Sequence, residues 1–420
     1  MHTLVFPSTP PAHLTLGVRG FSSVGIVRTR TAIEYYVGRT TLLRPDKLAP
    51  MQRFFSTTCA RFAKQTPSKA HYAVTPLPET LPRGFVVTGL HAGVKKKPGV
   101  LDLTLIVSKQ PKTAAAACFT RNAFQAAPVL VCRDVLERGS GRARAVIVNS
   151  GCANAVTGKQ GLDDAWEMVA VADTLADRVQ QASSTNNIPS SLVMSTGVIG
   201  QHLPIAKITS ATTNIKVDEL GDTPAHWELA AAGFMTTDTF LKLRARKFRL
   251  GGKDVRIAGI DKGAGMIHPN MGPPSPNRPL HATLLAVVAT DAAISPSLLQ
   301  QALTYAVDRS FNSIDVDGDM STNDTMLALA NGASGMEEIT SADSTEFATF
   351  QQELTNFAAE LAQLVVRDGE GATKFVTVEV QVRALVYTPY RLVWTPLSTR
   401  APLHMKTHIR SRPLFQLQHW

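Results

Sequence analysis

The chain has 420 residues, 44% of them hydrophobic and 18% charged, and a formal net charge of +10. That length allows two or three packed domains with a sizeable core, and it excludes a mini-protein that needs disulfide staples. Residues 1–78 carry ten Lys/Arg against two Asp/Glu and residues 380–420 carry six against none, which leaves 79–379 with 27 bases against 31 acids. The globular body is mildly acidic, so no basic face for nucleic acid is expected. Cys59, Cys118, Cys132 and Cys152 have no CxxC or metal-type spacing; they read as reduced structural thiols. No apolar run approaches the roughly 20 residues of a membrane helix, so a soluble protein without a membrane partner is expected.

Residues 1–70 are rich in Arg, Ser and Thr and nearly free of acid, the composition of a mitochondrial presequence; Met51 is an alternative start. From about Val74 the pattern becomes globular. Leu101, Leu103, Leu105 and Val107 alternate with Asp102 and Thr104, predicting a half-buried strand. Ala145-Val146-Ile147-Val148 predicts a central strand that runs into the loop Asn149-Ser150-Gly151. A helix is expected over 163–183, after a turn at Gly158 and Gly161. The segment 272–279, with four prolines, is expected to be an exposed loop ahead of the apolar run 283–289. Ser295-Pro296 marks a helix start, and 344–367 repeats Phe and Leu at helical spacing behind a loose capping box of Asp343 and Glu346. Strands and amphipathic helices alternate, so the class is α/β or α+β in layers. Residues 379–420 form a basic tail unlike the body, without Asp, Glu, Asn or Gly from 380 onward.

Several segments carry chemistry. Asn149–Gly158 packs small and amide side chains after a buried strand, which suits a tight turn as well as a backbone cradle for an anion. Ser195-Thr196-Gly197-Val198-Ile199-Gly200 presents a hydroxyl and an N–H suited to an oxyanion, or makes an ordinary turn. Met235–Thr239 adds hydroxyls, and Lys262–Met271 adds a lysine next to glycines. Asp315–Asn323 resembles part of a calcium loop but lacks its closing glutamate, so no metal is expected. From its local sequence alone Thr283 is an ordinary strand-start residue.

Taken in order with Ala282-Thr283, Asp317–Thr325 and Asp368–Lys374, these segments resemble the ornithine acetyltransferase family, the bifunctional enzymes of arginine biosynthesis; the likeness covers roughly 75–378. The Pro-rich insertion and the presequence are similar to the fungal mitochondrial branch. The resemblance implies a precursor that cuts itself between Ala282 and Thr283 into an α chain (71–282) and a β chain (283 onward, with 283–378 its N-terminal part). It implies Thr283 as nucleophile, Thr196 and Gly197 as oxyanion donors, and Thr236, Lys262, Thr283 and Glu370 as substrate contacts. An N-terminal threonine carries its own base: an α-amine with a pKa near 7.7–8.0 is partly neutral in a mildly alkaline matrix, whereas an amide nitrogen accepts no proton.

The implied reaction is ping-pong acetyl transfer from N2-acetyl-L-ornithine to L-glutamate in the mitochondrial matrix, without a resident cofactor. Some members of the family also use acetyl-CoA, for which the chain has no separate motif. Two α and two β chains are the implied assembly. Asn154 and Asp317–Thr325 read as structural support. The family continues beyond Val378 into a further domain that supplies an asparagine and a Thr/Ser to the site, and 380–420 has no counterpart of it. Alternatives are an inactive remnant and an amidohydrolase with an N-terminal nucleophile.

Overall fold

The computed structural model describes residues 68–182, 188–274 and 284–381, with backbone strands at 25–29, 32–36 and 406–413. The expected presequence, apart from those first two strands and residues 68–70, and the residues Cys59, Ala282 and Thr283 lie outside the described set. The chain divides into two units, Met1–Gln65 and Thr66–Trp420. In the first, β1 (Gly25–Thr29) pairs antiparallel with β2 (Ala32–Tyr36).

The second unit is mixed α/β. Its first half contains β3 (Phe85–Leu90), β4 (Leu103–Ser108), β5 (Ala114–Thr120), α1 (Ala127–Arg138), β6 (Ala145–Cys152) and α2 (Gly158–Gln180). Then come β7 (Ser191–Val198), α3 (Ile205–Asn214), α4 (Pro224–Phe234), β8 (Lys242–Leu250), β9 (Lys253–Lys262) and β10 (Met271–Gly272). The remainder holds β11 (Leu285–Thr290), α5 (Pro296–Asp308), β12 (Thr325–Ala330), α6 (Thr345–Asp368), β13 (Lys374–Gln381) and β14 (Lys406–Pro413). One sheet has the order β3-β4-β6-β7 and the other β10-β5-β12-β11-β9-β8. β14, inside the basic tail, pairs antiparallel with β13.

Alternation along β11 and β12 sends their side chains to two different cores. Leu285, Val287, Leu327 and Leu329 join a core shared with β3, β4, β6, β7 and helices α1, α2 and α4. Ala286, Val288, Met326 and Ala328 join a second core with α5 and α6. A strand covered on both faces reads as a continuous apolar run, as 284–289 does.

Several local expectations shift. β6 continues through Asn149-Ser150-Gly151 to Cys152 instead of giving way to a loop, and β7 takes in Ser195–Val198 of the expected turn. Gly272, expected in the exposed proline-rich loop, is buried in β10, and 275–279 of that loop lie outside the described residues. β4 is buried along its whole length rather than half-buried, because the Thr104 hydroxyl donates to the Ala230 carbonyl of α4 at 2.7 Å. The helix expected over 163–183 begins at Gly158 and takes in both glycines; the Asn154 amide fastens its first turn through the Gly161 carbonyl at 2.8 Å. The cap of α6 is Ser344, whose hydroxyl accepts the Phe347 N–H at 3.1 Å, rather than Asp343. The Ser295-Pro296 start of α5 stands as expected.

Candidate active site

The C-terminal ends of β6 and β7 lie side by side in parallel, with Asn149 beside Ser195 and Ser150 beside Thr196. Thr196 is buried, and Gly197 follows with φ +129°, where a Cβ would stand 2.4 Å from the Gly151 carbonyl carbon. Only glycine brings the backbone that close, so the strand end that presents both candidate oxyanion donors is fixed by packing.

In the other sheet, Lys262 ends β9. It pairs with Leu285, and Leu285 in turn pairs with Thr325 of β12. The Lys262 ammonium donates to the Thr196 Oγ1 at 3.3 Å, across the two sheets. Because the lysine occupies an oxygen lone pair, the Thr196 hydroxyl proton is free to point elsewhere. Burial lowers the pKa of Lys262, with Asp238, Asp324 and Glu370 pulling it up and Lys242 pulling it down.

Thr236 follows α4, whose last turn is held by Ser150 Oγ donating to the Gly233 carbonyl at 2.6 Å. The Thr236 N–H donates to Asp238 Oδ2 at 2.9 Å, and the other oxygen of Asp238 accepts the Gly263 N–H at 2.8 Å. Glu370 is placed from the far side: its N–H donates to the Ala264 carbonyl at 2.7 Å. Its carboxylate comes within 2.9 Å of where a Cβ of Gly265 would stand, an approach that glycine alone leaves open.

Thr196, next to Gly197, bonds Lys262 directly, while Thr236 reaches the Lys262 end of β9 through Asp238 and the Gly263 N–H, and Glu370 reaches it through the Ala264 carbonyl. Ala282 and Thr283 lie outside the described residues. Leu284, the next in sequence, accepts the Thr325 N–H at 2.8 Å. Asp317 of the calcium-like segment spends its carboxylate on the Met266 and Ile267 N–H groups at 2.6 and 2.9 Å. Among the described residues no group of three or more His, Cys, Asp or Glu is placed to hold a metal ion.

A sequence profile of the ArgJ family matches residues 86–385. The chain belongs to the ArgJ family. The mitochondrial arginine biosynthesis bifunctional protein ArgJ of Laccaria bicolor is 59% identical over 338 residues, which span 79% of this chain and 70% of that protein. The corresponding protein of Postia placenta is 55% identical over 359 residues, 83% of this chain and 75% of that protein. Among solved structures, ornithine acetyltransferase complexed with ornithine from Mycobacterium tuberculosis is 36% identical. The match covers 48% of this chain and 97% of that one, with a TM-score of 0.39.

This ArgJ-family chain also builds its site with Lys242 and Asp261, which no quoted segment assigned a role, and with Asn323 and Asp324 of the segment read as structural support. Asn323, 2% exposed, donates through one amide nitrogen to the carbonyls of Ala153 at 2.6 Å and Ser195 at 2.8 Å. Lys242, fully buried, bonds Asp238 at 2.5 Å and Asp368 at 2.6 Å. Burial opposes its charge, but the two carboxylates prevail and its pKa is raised. A lysine in the apolar stretch Phe240-Leu241-Lys242-Leu243 was the available signal. Asp261 and Asp324 are buried, and no carboxylate oxygen of either has a hydrogen-bond partner. Burial lifts both well above the usual carboxylate range.

Proposed function

We propose that this chain moves the acetyl group of N2-acetyl-L-ornithine to L-glutamate through an acetyl ester on Thr283. It is an acyltransferase of arginine biosynthesis that takes an ornithine-type substrate, and like its curated relatives it is mitochondrial. The observation that supports the chemistry best is the Lys262–Thr196 contact at 3.3 Å, which joins the candidate carboxylate binder to the candidate oxyanion donor.

In this reading, cleavage of the Ala282–Thr283 bond frees the Thr283 α-amine, which takes the proton from the Thr283 hydroxyl as it attacks the acetyl carbonyl. The Thr196 hydroxyl and the Gly197 N–H meet the developing oxyanion. The Thr283 ammonium gives that proton to the leaving nitrogen as the acetyl C–N bond breaks and ornithine departs. In the second half-reaction the neutral amine of glutamate attacks the ester, the Thr283 amine takes its proton, and the C–O bond breaks to restore the Thr283 hydroxyl. Lys262 pairs with the substrate α-carboxylate and Glu370 with the ornithine side-chain ammonium, as a zwitterion requires, while Thr236 adds a hydroxyl contact. No step calls for a resident cofactor. Acetyl-CoA serves as a second acyl donor, and two α and two β chains form the working particle.

The test uses the full chain. Denaturing electrophoresis should show two fragments, the smaller beginning at Thr283 by N-terminal sequencing, and Thr283→Ala should leave one uncut chain. Loss of acetyl-ornithine should require glutamate. Loss at the same rate in water alone would overturn transfer in favour of hydrolysis.

A further inference from the structure

We infer that Asp238 is a positioning residue for the acyl transfer, fixing Thr236 and Lys262 relative to each other and keeping Lys262 charged for the substrate carboxylate. The inference rests on the reading of Lys262 given above.

The Asp238 side chain is 1% exposed and both of its oxygens are used. Oδ1 accepts Lys242 Nζ at 2.5 Å and the Gly263 N–H at 2.8 Å, while Oδ2 accepts the Thr236 N–H at 2.9 Å. One carboxylate thus ties the loop after α4 to the residue that follows Lys262. Lys242 then carries the connection to Asp368 at 2.6 Å, two residues before Glu370. Asp368 also accepts the N–H of Thr239 at 2.9 Å and its hydroxyl. Thr236, Lys262 and Glu370 come from three separate parts of the chain, and a single buried chain of charges registers all three.

Charge supplies the second half of the inference. The groups acting on Lys262 are Asp238, Lys242, Asp324, Glu370 and Lys95. Those acting on Asp238 are Lys242, Lys262, Lys95 and Asp261. Burial opposes ionisation of Asp238, but Lys242, Lys262 and the Gly263 N–H outweigh it and hold the carboxyl well below its usual range. Asp238 is therefore a fixed negative charge across working pH, whereas burial keeps Asp324 protonated toward higher pH. Asparagine would not substitute. Its single oxygen could keep Lys242 and Gly263, but its NH2 would then face the Thr236 N–H, donor against donor.

The experiment measures kcat/KM for N2-acetyl-ornithine against pH on the full chain. Lys262→Met comes first: it should raise KM at least about tenfold and remove the alkaline limb, and an unchanged KM would defeat the reading of Lys262 whatever Asp238 does. With that reading standing, Asp238→Asn should move the alkaline limb to lower pH by about one unit, since Lys262 loses its proton sooner. KM should rise already at pH 7, because Thr236 and Lys262 lose their common anchor, and at least about fivefold at pH 8, where Lys262 also loses charge. A limb that stays in place overturns the inference. Should Asp238→Asn fail to fold, the double variant Asp238→Asn/Lys242→Met is compared with Lys242→Met, so that the buried Lys242 ammonium, left with Asp368 as its one carboxylate partner, is absent from both. The double variant should again show the more acid limb, and coincident profiles overturn the inference.

Discussion

Asn323→Ala tests how the two sheets are held in register at the candidate oxyanion donors. The side chain sits between the sheets and donates to the carbonyls of Ala153 and Ser195, the latter immediately before Thr196. Truncation removes both donors from a site that is 2% exposed, and alanine fills only part of the space. A buried polar group left without its partner costs about 1–3 kcal/mol, so two carbonyls together should cost about 2–4 kcal/mol once relaxation is allowed for. Urea unfolding followed by circular dichroism reads that loss, and kcat should fall with it, because the Ser195 carbonyl fixes the strand end that carries Thr196. Asn323→Asp keeps the shape but sets a carboxylate against two carbonyl oxygens, and should be the worse of the two at neutral pH. Stability within 0.5 kcal/mol of the parent for Asn323→Ala would refute the bridging role.

Gly197→Ala should lower kcat by about 10²-fold or more, because a Cβ would stand 2.4 Å from the Gly151 carbonyl carbon at φ +129°; retained turnover in a steady-state assay would count against this strand end as the oxyanion site. Stability should depend on pH with opposite signs at two kinds of carboxyl. Asp261 and Asp324 have raised native pKa values, so their contribution is complete below the unfolded carboxyl value and is lost as pH rises toward the native one. The Asn variants of these two should gain in Tm relative to the parent between pH 5 and pH 8. Asp238 is depressed and contributes above the unfolded value, so the penalty of Asp238→Asn should be full at pH 7 and shrink in acid. Cys118 and Cys132 are buried thiols pushed up to about 12; native alkylation at pH 8 followed by peptide mapping should leave both unmodified until the protein is denatured.

Much of the architecture was legible because it is local. The apolar runs at 145–148 and 283–289, the proline at the start of α5 and the helical period of 344–367 needed no partner to be read. Along β4 the reading shifted because of partners outside the strand. Asp102 and Thr104 alternate with apolar residues as a solvent-facing row would, yet both are buried. Asp102 accepts the N–H groups of Ala92, Gly93 and Lys95, and Thr104 bonds α4. Ser344 displaced Asp343 as the helix cap by one position, a choice between two good capping residues that sequence alone does not rank. The site shows the same division. Thr196, Lys262 and Glu370 stand in motifs, but Lys242 and Asn323 act through contacts across some 125 residues of chain, and Asp238 through the Gly263 N–H, 25 residues on.

The strand order also explains how a chain cut at Ala282–Thr283 would keep its site. In the six-stranded sheet, β11 and β12 come after that bond, and they are flanked by β5 on one side and β9 on the other, both from before it. Six residue pairs join β12 to β5 and six join β11 to β9. Leu285 and Val287 sit in the core shared with the other sheet, and Ala286 and Val288 in the core shared with α5 and α6. Separating the fragments would open two ladders and divide both cores, a cost far beyond that of one peptide bond's tether. Cleavage there would free an amine two residues ahead of β11 in sequence without freeing β11. The Lys262–Thr196 contact, which needs the two sheets only in register and not the continuity of the chain, survives it. Two fragments on a denaturing gel should therefore run as one particle under native conditions, and fragments that separate without denaturant would refute the shared-sheet argument.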